Sequence, residues 1–144
     1  MESLTELYNR DLDQLSKEIS LYKNEEDIWR VSGEIKNSAG NLALHLVGNL
    51  QHFVGALLGD TGYVRDRENE FNARNVPRVE ILSEVETTRE VITRVLPLLT
   101  AEMLASATSD KIPFNMTNEQ FLLHLYGHFG YHLGQINYHR RLLA

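Results

Sequence analysis

Apolar residues recur at helical spacing in four stretches of the chain, with polar breaks between them. In residues 3–23, Leu4, Leu7, Leu12, Leu15, Ile19 and Tyr22 follow one another at three to five positions, with acidic and basic residues between them. That is the period of an amphipathic helix with one face toward a core. Asn24 to Asp27 interrupts it, and Ile28-Trp29-Arg30-Val31 followed by Ser32-Gly33 reads as a connector whose Trp29 packs onto the helices. A second helix follows a cap at Asn37 or Ser38 and spans 39–58, with Leu42, Leu46, Leu50, Phe53 and Leu57 in one broad stripe. Gly59-Asp60-Thr61-Gly62 ends it, and the polar stretch 63–77 reads as an ordered loop. A third helix is expected over 78–108, kinked or divided at Pro97. Thr117-Asn118-Glu119-Gln120 has the form of a capping box, so a fourth helix starts there and runs almost to Ala144. No stretch alternates as a strand would. The expected fold class is all-α, a single-domain four-helix bundle over 1–144.

A length of 144 residues, 42% of them hydrophobic, suits one core and leaves little room for a second domain. Twenty acidic against 14 basic residues give a net charge of −6 and no Lys/Arg-rich run, which argues against nucleic acid as a partner. The chain has no cysteine, which removes disulfides, thiolate metal sites and a cysteine nucleophile. The first six residues lack the basic start and apolar stretch of a signal peptide. No segment approaches the roughly 20 apolar residues of a membrane span, so the expected compartment is the cytoplasm, with no membrane partner.

The histidines change this picture most. There are six: His45 and His52 on the second helix, and His124, His128, His132 and His139 on the fourth. His128 and His132 stand one turn apart on one face, the spacing at which two imidazoles can hold one ion. They project into or alongside the core, where a charged imidazole is costly and a neutral, metal-bound one is satisfied. A lone histidine at a core edge is ordinarily just a hydrogen-bonded polar residue. A third histidine on another inward-facing helix points further, because three protein ligands and an open position make the usual catalytic zinc site. His45 and His52, seven positions apart, share a face, and spacing alone leaves the third ligand open between them. No Glu directly follows His128, so the zinc-protease pattern His-Glu-x-x-His is absent.

Asn41-Leu42-Ala43-Leu44-His45-Leu46-Val47-Gly48-Asn49-Leu50, Arg65-Asp66-Arg67-Glu68-Asn69-Glu70-Phe71, and His128-Phe129-Gly130-Tyr131-His132-Leu133-Gly134-Gln135-Ile136 occur in this order. Together they resemble the DinB-like (damage-inducible) superfamily over nearly the whole chain. The resemblance implies an up-down-down-up bundle, frequently a homodimer, with a divalent metal held by His45, His128 and His132. Leu133 stands where the family often has Arg. Some members are thiol S-transferases acting with low-molecular-weight thiols, and others have been regarded as metal-dependent hydrolases.

The expected function is therefore that of a metal-dependent thiol S-transferase, in which a divalent ion, zinc or nickel foremost, activates a low-molecular-weight thiol co-substrate. The alternatives are a hydrolase using metal-bound water and a non-catalytic, metal-stabilised dimer. Asn49, one turn after His45, and Gln135, just past His132, are candidates to orient a ligand or substrate. Glu70, with Asp66 in the loop after the second helix, could cover the site and supply a general base or a fourth ligand.

Overall fold

In the computed structural model, which describes residues 1–144, helix α1 (Glu2–Ser20) turns Tyr8, Leu12, Leu15 and Ile19 fully inward. A 3-10 turn over Glu25–Trp29 follows, and the Trp29 ring lies flat on the backbone of Gly40. A Cβ at Gly40 would stand 2.7 Å from that ring, so the close approach needs glycine there. Ser38 supplies the cap for α2 (Ala39–Leu50): its hydroxyl accepts from the Asn41 N–H at 3.1 Å. The helix continues without a break into wider π-type turns over Gln51–Leu58, so the whole expected second helix is helical.

The stretch expected as a plain loop contains a further short helix, α3 (Arg67–Asn72). Its start is explained locally, because the Asp66 carboxylate accepts from the Asn69 N–H at 3.0 Å. The third expected helix is divided where Pro97 falls. Helix α4 (Arg78–Val95) tightens into a 3-10 turn at Leu96–Leu98, and a separate α5 (Ala101–Ala105) starts from a Thr100 cap. Proline brings no N–H and its ring crowds the preceding turn, so an α-helix cannot pass through it unbroken. Helix α6 (Asn118–Leu143) begins at the Thr117–Gln120 capping box with both of its hydrogen bonds formed.

There are no strands. Helix α1 packs against α4 and α6, and α2 packs against α4, α6 and α3, so the apolar faces of the four long helices meet in one core. From α6 that core takes Phe121, Leu122, Leu125, Phe129 and Ile136. His132 lies between the last two along the helix and is half-buried. Polar ties fix how α6 sits: the Tyr8 hydroxyl donates to the Leu122 carbonyl at 2.8 Å, and Glu18 accepts from Arg140 at 2.7 Å and from Asn137 at 2.8 Å. No helix is long and apolar enough to cross a membrane.

Candidate metal centre

Helices α2 and α6 bring His45, His128 and His132 together. The ring centroids are 5.0 Å apart for His45 and His128, 5.3 Å for His45 and His132, and 4.6 Å for His128 and His132. One ring nitrogen from each falls within 4.8 Å of the others. The His45 and His128 Nε2 atoms face each other at 3.1 Å. Nitrogens bound to one ion at about 2.0–2.1 Å also stand roughly 3 Å apart, so this spacing fits a shared ion.

The tautomers follow from the partners. His45 Nδ1 lies 3.0 Å from Glu70 Oε1, and an ionised carboxylate only accepts, so the proton sits on Nδ1 and Nε2 is a bare lone pair. His132 Nδ1 lies 2.6 Å from the side-chain oxygen of Gln135, another acceptor, which likewise leaves its Nε2 bare. Such outer acceptors fix the tautomer and orientation of a metal-ligating imidazole. His128 Nδ1 is buried and has no partner. The donor set is thus three imidazoles, two of them turned by acceptors outside the cluster, and it suits a borderline divalent cation such as zinc.

The electrostatics keep His128 and His132 neutral. Burial, reinforced by His132, His45, His124 and Arg65, pushes His128 down to about 4. Burial also lowers His132, against a hydrogen bond to Gln135 that works the other way. Burial alone would raise the Glu70 carboxyl, but hydrogen bonds from His45 and Arg65 and the Arg65 charge outweigh it and hold Glu70 below the usual carboxylate range. Arg65 grips both oxygens of Glu70, each at 2.9 Å, and their charges cancel beside the histidines.

Two features that hold Glu70 had no assigned role at the sequence level. Gly48 is one: a Cβ there would lie 2.1 Å from Glu70 Oε2, so the carboxylate reaches His45 through the space a side chain would fill. Asn41 is the other, donating to the carbonyls of Glu70 and Ala73 at 3.0 and 2.9 Å and so tying α3 to α2. The visible signal for Asn41 was its position one turn before His45 on the same helix. Asn49 is buried and lines a cavity of about 310 Å3 that His45 and His128 also line. His52 is half-buried with its ring against Phe53, and His124 stands between Phe114 and Phe121 in the same cavity. His139 lies elsewhere and is satisfied, with Nδ1 accepting from the Tyr22 hydroxyl at 2.6 Å and Nε2 donating to the Arg30 carbonyl at 2.8 Å.

No curated protein matches the chain. The model of a family described as Protein of unknown function (DUF1572), a DinB-like family, matches residues 1–144, and the chain belongs to that family.

Proposed function

We propose that the protein is a metal-dependent enzyme of the thiol S-transferase type, with His45, His128 and His132 as the ligands of a divalent ion, zinc or nickel. The observation that carries this reading is the pair of outer acceptors, Glu70 and Gln135, which leave the Nε2 lone pairs of His45 and His132 bare beside His128. Held by three neutral ligands, such an ion would keep its positive charge and would supply the means to lower the pKa of a bound thiol or water. The chain supplies no cysteine, so the attacking sulfur belongs to a co-substrate of low molecular weight.

The protein's own residues then have the following roles. Glu70 positions His45 and stabilises its Nδ1–H, while Arg65 keeps Glu70 ionised. Gln135 does the same for His132, and Asn49 borders the cavity in which a substrate would sit. A hydrolase reading would need a free general base. Both oxygens of Glu70 already accept from Arg65, and one also accepts from His45, which favours the transferase.

The same reading takes the four long helices as an up-down-down-up bundle and the protein as a cytoplasmic homodimer that binds neither nucleic acid nor membrane. Self-association is supported by the outer side of α6, where Leu123, Tyr131, Tyr138 and Leu142 are exposed. Calorimetric titration of chelator-treated protein with zinc and nickel tests the centre: one ion per chain is expected, and a flat titration overturns the reading. A thiol consumption assay with an alkyl halide as electrophile then tests transfer. Thiol consumption should require the metal, and metal-independent background rates would refute transfer.

A further inference from the structure

The cavity beside the histidines carries one uncompensated cation. Arg65, Arg67, His45, His124 and His128 line it, and no Asp or Glu does, although the chain carries a net charge of −6. Arg65 is committed to Glu70 on both oxygens. Arg67 is different: its guanidinium lies 5.2 Å over the Phe71 ring and makes no ion pair, so its charge is free to meet a ligand. Phe71 in turn packs on His45, with ring centroids 4.8 Å apart, which places this cation next to the metal centre.

Apart from Asn49, the rest of the wall is apolar and largely aromatic. Phe53 and Phe121 meet edge to face at 5.0 Å, and Phe114 stands 6.3 Å from Phe121, with the His124 ring beside both phenylalanines. Its volume of about 310 Å3 lies at the small end of ligand cavities. It suits a compact molecule with an apolar body and one anionic group. Arg67 is exposed at the edge of the cavity and has no carboxylate partner, so its charge is open to such a group, and a planar guanidinium matches a carboxylate at two points.

We propose that this cavity binds a small organic anion, with its carboxylate on Arg67 and its apolar or aromatic body against Phe53, Phe114 and Phe121. The proposal rests on the metal-centre reading only in taking this ligand as the substrate or co-substrate of that centre.

The test uses the full chain dialysed against chelator, so that no bound ion can itself hold a carboxylate. Benzoate, phenylacetate and 3-phenylpropanoate are titrated by NMR, each beside its neutral amide. At least one acid should bind, should perturb the resonances of Arg67, Phe114 and His124, and should bind about tenfold or more tightly than its amide. Arg67→Gln should remove that preference, Arg67→Lys should restore part of it, and Arg141→Ala should leave it intact, since Arg141 lies over Tyr138 away from the cavity. Equal binding of acid and amide, no binding by any acid, or full acid preference in Arg67→Gln would overturn the proposal. Zinc titration of the same samples separates the two readings: acids that bind a protein unable to take zinc would leave the cavity and remove the metal centre, and zinc binding without acid binding would do the reverse.

Discussion

Replacing Gly48 by alanine tests whether the Glu70 carboxylate is what organises the candidate centre. The new Cβ would lie 2.1 Å from Glu70 Oε2 and 2.7 Å from its Cδ, against an ordinary contact of roughly 3.5 Å or more. A flexible side chain would normally step aside, but this one is held by Arg65 on both oxygens and by His45, with its side chain only 6% exposed. Moving it by roughly an ångström breaks buried charge-assisted bonds, at about 3–5 kcal/mol. The helix gains about 1 kcal/mol from the better propensity of alanine, so a net loss of about 2–4 kcal/mol is expected. In a chain of this length that corresponds to a Tm lower by roughly 6–12 °C. Metal affinity should fall as well, by about 10–100-fold, because His45 loses the acceptor that orients it. Thermal unfolding followed by circular dichroism, with calorimetry for the metal, measures both. Repeating Gly48→Ala in a Glu70→Ala background gives the internal control: with no carboxylate to strike, the change should be neutral or stabilising. A Gly48→Ala protein as stable as the parent, or one equally destabilised in both backgrounds, would refute the reasoning.

His45→Ala, His128→Ala and His132→Ala should each lose tight metal binding while His52→Ala keeps it; elemental analysis of purified variants decides, and a metal-free His52→Ala would move the ligand on α2. His139→Ala should keep the metal but lose about 2–3 kcal/mol in urea denaturation, since the Tyr22 hydroxyl and Arg30 carbonyl lose their buried partner. Chelator-treated protein should lose stability on acidification, because His128 takes its proton at about 4 in the folded state and near 6.5 when unfolded. The unfolded chain is protonated first, so this contribution is complete above about pH 6.5 and is lost as the pH falls toward 4. It amounts to at most roughly 3 kcal/mol, reduced by the solvent the ring still meets, and urea midpoints that stay constant from pH 7 to 4.5 would contradict it. Duplex DNA at physiological salt should show no mobility shift with micromolar protein, given a net charge of −6.

The apolar period of 3.6 was enough to mark the long helices, since a residue's angle around a helix depends only on its position along it. Local chemistry marked their ends equally well: the Thr117–Gln120 capping box and the break at Pro97 involve neighbours within one turn. The short helix at Arg67–Asn72 escaped notice because an Asp66 cap followed by six polar and aromatic residues carries no apolar period to detect. The pairing of His128 with His132 is likewise local. The choice between His45 and His52 is not: seven positions apart, they share a face but differ by roughly 10 Å along the axis. Only the packing of α2 on α6 decides that His45 is level with His128. The residues that orient the cluster depend still more on the fold. Glu70 comes to His45 from 25 positions away, through the gap at Gly48 and under the tie from Asn41. Composition and spacing show that an acidic residue, a glycine and an asparagine are present. Which carboxylate faces which imidazole, and which arginine is left free beside the cavity, are set by contacts between distant segments that only the folded chain makes.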